Sequence, residues 1–170
     1  MDIKTLFGLP AHALLVHVPI VLIPLAAIGA AGVWWEPWRK RFGWATAAIL
    51  VVAGIFTQLA ITSGKTLKHQ LESTALLRAH TRIAEDLRPF LLLFFIALVA
   101  FLLLERRQRA TGKVTMRNPM LIGTFVVTLL LAGISNYWVA RIGHTGAKAV
   151  WQPKIAREAR ESGQGTQESR

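Results

Sequence analysis

Cysteine is missing altogether from the 170 residues. Its absence excludes disulfides, thiolate metal sites, iron–sulfur clusters and the covalent attachment of a c-type haem. Any haem would have to be held without a covalent tether. Charge is sparse: Asp, Glu, Lys and Arg make up 17% of the chain, where a soluble domain carries about 25%. Acid is scarcer still, with nine Asp and Glu against 20 Lys and Arg. The long apolar runs hold no carboxylate, so a proton-coupled transporter lacks its usual parts. There is no nucleotide-binding glycine loop, no G-x-S-x-G and no H-E-x-x-H, which removes the common signatures of nucleotide-binding proteins, serine hydrolases and zinc proteases.

What remains is apolar. Hydrophobic residues make up 53% of the chain, a membrane-class composition. Four runs approach the roughly 20 residues needed to span a bilayer: about 11–33, 43–63, 87–104 and 120–140. The only charge in any of them is Arg88, at the edge of the third. Short connections between long helices imply antiparallel neighbours. The expected fold is therefore all-α, a polytopic four-transmembrane-helix up-down bundle. Residues 1–152 form one domain, and 153–170 form a flexible polar tail without a period. Ala27, Ala31, Gly54 and Gly133 are the small residues expected to let helix backbones approach.

The net charge of +11 does not point to nucleic acid. The basic residues sit at the ends of apolar runs and in the tail, as membrane proteins use them. Arg39, Lys40 and Arg41 lie between the first two runs, and Arg106, Arg107, Arg109, Lys113 and Arg117 between the last two. These dense clusters mark the cytoplasmic side and put both termini outside. Trp34, Trp35, Trp38 and Trp44 cluster at that side, and Tyr137 and Trp138 mark the other. Both groups read as interfacial aromatic belts.

All five histidines thread onto the end opposite the basic loops. His12 and His17 open the first run, His69 and His80 lie between the second and third, and His144 follows the fourth. Ser73 can cap a helix in which Leu76, Leu77, His80, Ile83, Ala84, Leu87 and Leu91 recur at spacings of three and four. His80 therefore belongs to the face turned towards the bundle. His12 and His17 are five residues apart, about 140° round a helix, so they do not share a face. Pro19 leaves the carbonyl of Leu15 without its helical donor, and Pro89 is expected to kink the third helix. His69 sits in a Lys-rich stretch and reads as solvated. Bland roles stand beside the others: His17 as a donor to a carbonyl freed by Pro19, His12 as an interfacial side chain, His80 as a packing residue, and His144 as a helix C-cap after Gly143. Thr57, Gln58, Thr62 and Ser63 make the second run mildly polar near the same end and can bond a ligand or another helix.

Ionisable side chains in spans are functional candidates by default, and imidazole is the commonest biological metal ligand. His12, His17, His80 and His144 are thus the candidate cofactor and metal ligands. Two His ligands from facing helices can hold a b-type haem for electron transfer. His17 with His80 would form the first axial pair and His12 with His144 the second. Three of the four can instead hold copper or zinc. A cofactor-free structural or partner-binding membrane protein is the third reading. The partners that follow are the lipid bilayer and, for the haem reading, an extracytoplasmic redox protein.

The stretch Leu9-Pro-Ala-His-Ala-Leu-Leu-Val-His-Val-Pro-Ile20 resembles the opening motif of a bacterial membrane family, domain of unknown function 2231. That motif reads approximately His-Pro-x-Leu-Val-His-Phe-Pro-Ile. A mid-domain His resembles His80, and Gly143-His-Thr-Gly-Ala-Lys-Ala-Val-Trp151 resembles the closing Gly-His-x-Gly-Gly-x-Leu-Val-Tyr. Ala13, Val18, Ala147, Ala149 and Trp151 depart from those patterns. The resemblance implies a four-helix protein of the bacterial plasma (inner) membrane, loosely grouped with two-haem membrane cytochromes. It carries the same four His positions. The basic end has no His, so a haem-to-haem path across the membrane is not implied.

Overall fold

A computed structural model describes residues 5–6, 9–10, 14–68, 75–112 and 118–168, with side chains placed over 14–64, 81–112, 118–148 and most of 151–158. A two-residue antiparallel pair, β1 (Thr5–Leu6) on β2 (Leu9–Pro10), precedes four helices. These are α1 (His17–Gly32), α2 (Glu36–Lys68), α3 (Ala75–Ala110) and α4 (Pro119–Glu168). Each helix packs on two neighbours in the ring order α1, α2, α3, α4 and back to α1, which is the expected up-down bundle. One end carries the turns 33–35 and 111–112 and is the basic end; the opposite end is the histidine end.

Local chemistry explains where the helices start and stop. Pro37 and Pro119 sit in first turns, where a missing N–H is harmless. Asn118 caps α4 by accepting the Met120 N–H at 2.9 Å, as an N-cap should. Gly112, at φ +69°, ends α3 in the left-handed region, with its N–H on the Arg109 carbonyl at 3.1 Å. The helix passes through Pro89 without interruption. Proline there releases the Glu85 carbonyl, and Arg88 Nε donates to that carbonyl at 3.4 Å.

Two boundaries differ from expectation. The first span was expected from residue 11; residues 14–15 are helical, a turn at Val16 interrupts them, and α1 itself runs His17–Gly32, 16 residues. That is about 24 Å of helix against a hydrocarbon core of about 30 Å. The turn at Val16 falls where the Pro19 ring opposes the Leu15 carbonyl. The three other helices are long and apolar enough to cross a membrane. At the far end, α4 does not stop near Ala140 but stays helical to Glu168. The stretch expected to be aperiodic is rich in Ala, Arg, Glu, Lys and Gln, all good helix formers.

The core is a seam of heptad spacing on α3, Leu87, Leu91, Phe94, Leu98 and Phe101, met by Ile23, Ala26 and Ala30 of α1, Ala47, Leu50 and Ala53 of α2, and Leu121 and Ala132 of α4. Opposite faces are apolar too. Val21, Ile28 and Leu130 are each more than 60% exposed. In water such faces would be aggregation surfaces; in lipid they face matching solvent.

Of the four small residues expected at close approaches, Ala27 packs against the core, but the tightest contacts are at three glycines outside that set. A Cβ at Gly29 would lie 2.5 Å from Thr46 Oγ1, one at Gly32 2.6 Å from the Trp38 indole, and one at Gly43 2.9 Å from Leu102. Gly54 and Gly133 face open space, and Ala31 is exposed. Trp38 is also more than a belt residue. It is half-buried and donates from Nε1 to the Gly29 carbonyl at 3.2 Å.

Candidate functional site

The histidine end is built where the N-terminal turns of α1, the far half of α2, the start of the apolar part of α3 and the middle of α4 meet. A cavity of about 70 Å³ lies there, bounded by Val16 and Pro19, Thr57 and Ala60, Ala84 and Ile142, among others. All four helices contribute to it. Its walls are apolar because the one hydroxyl among them is spent: Thr57 Oγ1 donates to the Ala53 carbonyl of its own helix at 2.7 Å. Thr62 and Ser63 likewise donate to the Gln58 and Ala60 carbonyls. Such back-bonding is the usual fate of Ser and Thr in apolar helices. Gln58 reaches another helix, accepting from Arg88 Nη1 at 3.4 Å.

The histidines relate unequally to this cavity. His17 opens α1 and is exposed. It lies two residues before the cavity-lining Pro19, about 200° round the helix. His144 is exposed as well, about 200° past Ile142 by the same rotation. It lies inside α4 and is not the helix C-cap expected there, since the helix runs on. Position 80 precedes Ala84 by four residues and Leu87 by seven on α3, so it falls on the stripe that borders the cavity. The side chain of His80, and His12 and His69 entirely, lie outside the described residues. Among the described residues, no three His, Asp or Glu side chains gather into a metal site.

The basic end holds a polar cluster that composition alone did not reveal. Arg39 of α2 has a side chain only 3% exposed. Its Nη1 donates to the carbonyls of Val33 and Trp34 at 2.7 and 3.0 Å, closing the C-terminus of α1. Its Nε lies 3.2 Å from Glu105 Oε1 of α3. Arg109, one turn on, also pairs with Glu105 and reaches Glu36 Oε1 of α2 at 2.9 Å, an oxygen it shares with Lys40 at 2.7 Å. Three helix ends are thereby tied by one network. The available signal was that Glu36 and Glu105 are the only acids at this end and stand four residues before Lys40 and Arg109, the favourable helical order.

The comparisons with known proteins agree with this architecture. A family model described as "Predicted membrane protein (DUF2231)" matches residues 8–159. No curated protein and no solved structure matches the chain.

Proposed function

The chain belongs to that family of predicted membrane proteins, and on this premise we propose that it carries a histidine-ligated metal ion, copper or zinc, at the histidine end of the bundle. One observation supports the reading above others. The cavity to which all four helices contribute lies at this end, and position 80 falls on its bordering stripe. A cavity of about 70 Å³ accepts a small ion with a water, since a water needs about 10–15 Å³ of such volume. A b-type haem would extend beyond this volume, towards the helix ends that bear positions 17, 80 and 144. Apolar walls suit the metal reading in another way. They offer no competing donors and leave the ion's environment to its ligands and their outer hydrogen bonds.

The basic end is the cytoplasmic side in this proposal. Arg41, Arg106 and Arg107 are exposed there, and short-loop Lys and Arg orient membrane proteins. The site then opens on the extracytoplasmic face of a bacterial plasma membrane, with both termini outside.

Metal analysis and one visible spectrum test the site. The protein is purified from cells supplied with haem, copper and zinc. Stoichiometric copper or zinc that is lost in His80→Ala and kept in His69→Ala is the expected result. A Soret band would assign b-type haem, and with it electron transfer to an extracytoplasmic redox protein, in place of the metal ion. Finding neither chromophore nor metal overturns the cofactor and leaves a structural or partner-binding role.

A further inference from the structure

A second hollow lies on the lipid-facing side of the bundle, away from the histidines. It is a groove of about 490 Å³ between α2 and α3. Its floor and walls are Leu50, Gly54, Leu91, Leu92 and Phe95, and Arg88 with Gln58 closes its end towards the histidine side. Three features argue for what fills it. The first is length. From Leu50 to Gln58 along α2 the groove runs about 12 Å, close to the roughly 15 Å of hydrocarbon in one leaflet, half of a core of about 30 Å. The second is depth. Gly54 supplies no side chain, and a Cβ built there would meet nothing within 4 Å. The groove is therefore open because the sequence leaves it open.

The third feature is charge. Arg88 is exposed at the edge of the apolar part of α3. It makes no ion pair among the described residues. Its contacts are two long hydrogen bonds of 3.4 Å, from Nε to the carbonyl freed by Pro89 and from Nη1 to Gln58. These hold the guanidinium over the groove mouth and leave donors for a further acceptor, since the fork carries five N–H groups. Arg82 and Asp86, also exposed, and the half-buried Glu85 share this end of α3. We propose that the α2–α3 groove is a binding site for an anionic phospholipid of the bilayer, one acyl chain lying along Gly54 and the headgroup phosphate on Arg88. Guanidinium and phosphate match in geometry and charge, and a snorkelling Arg at the interface sits at phosphate depth. This proposal is independent of the histidine site.

Native mass spectrometry of the full chain, released from mild detergent and titrated with phosphatidylglycerol or phosphatidylcholine, tests it. One phosphatidylglycerol should bind about tenfold more tightly than phosphatidylcholine, the scale of a single charge-assisted contact. Arg88→Gln should erase that preference, and Arg88→Lys should keep most of it. Gly54→Leu, which fills the groove, should weaken both lipids alike. Thermal unfolding of each variant checks that the bundle is intact, and Arg88, being exposed, can change without disturbing the core. Equal affinity of the native chain for the two lipids overturns the proposal. So does a preference that survives in Arg88→Gln, or a dimer that covers the groove and excludes lipid.

Discussion

Removing the carboxylate at the centre of the basic-end network is the sharpest test of how the bundle is held together. Glu105 is 6% exposed and receives both Arg39 and Arg109. In Glu105→Ala the Arg39 guanidinium keeps its two carbonyl partners but loses its counter-charge where water scarcely reaches. Taking away one partner of a buried pair destabilises by about 3–5 kcal/mol, a large part of a total of about 5–15 kcal/mol. Arg109 is 36% exposed, and ion pairs of exposed groups contribute little to stability. Arg109→Ala should therefore cost far less. The double variant Arg39→Met, Glu105→Leu removes both charges together. It loses the charge-assisted carbonyl bonds of Arg39, about 1.5–3 kcal/mol each, but leaves no uncompensated buried charge, and apolar replacement of a buried pair is often neutral or stabilising, so it should be no less stable than Glu105→Ala. The assay is unfolding in micelles of fixed composition, followed by far-UV circular dichroism. If Glu105→Ala loses less than about 1 kcal/mol, or no more than Arg109→Ala, Arg39 is rescued by water or headgroups and the buried-pair argument is refuted.

Other outcomes follow from single contacts. Gly29→Val should destabilise by about 1–3 kcal/mol through overpacking, because its Cβ would press on Thr46. Gly133→Ala, facing open space, should instead stabilise its helix by about 1 kcal/mol, and the same micelle assay separates the two. Ser135 is fully buried and its Oγ finds no hydrogen-bond partner among the described residues. Ser135→Ala should be neutral or stabilising by about 1 kcal/mol, and a clear loss of thermal stability would contradict that. A reporter active only in the cytoplasm, fused after Arg170, should stay silent; activity would reverse the sidedness proposed here.

Much of the fold was legible in advance because its signals are local. Apolar run length placed α2, α3 and α4, and spacings of three and four found the α3 stripe from Leu87 to Leu91 that became the core seam. The break at Val16 was not read because a hydropathy run does not register that Pro19 opposes the Leu15 carbonyl. The course of α4 past His144 was misread because Gly143 looks like a helix stop, whereas the helix runs on through Ala147, Lys148 and Ala149. Of the candidate site, the stripe position of residue 80 was readable and the exposure of His17 and His144 was not. Periodicity assigns a residue to a face only where a long stripe defines that face, and neither residue sits in one.

The sequence by itself determined that this chain belongs in a membrane, as helices, with its densest basic loops threaded to one end and its histidines to the other. Hydropathy, length and charge order are properties of one strand of text, and each acts without knowing its neighbours. The tertiary structure alone decided that Gly29, Gly32 and Gly43 are the points of close approach and that Gly54 is a hollow. It also decided that Arg39 is buried against Glu105 and that one cavity and one groove open where they do. Those facts depend on the rotation and axial offset of each helix against the next. Both are set by how side chains from separate segments interlock, and no single segment contains that information.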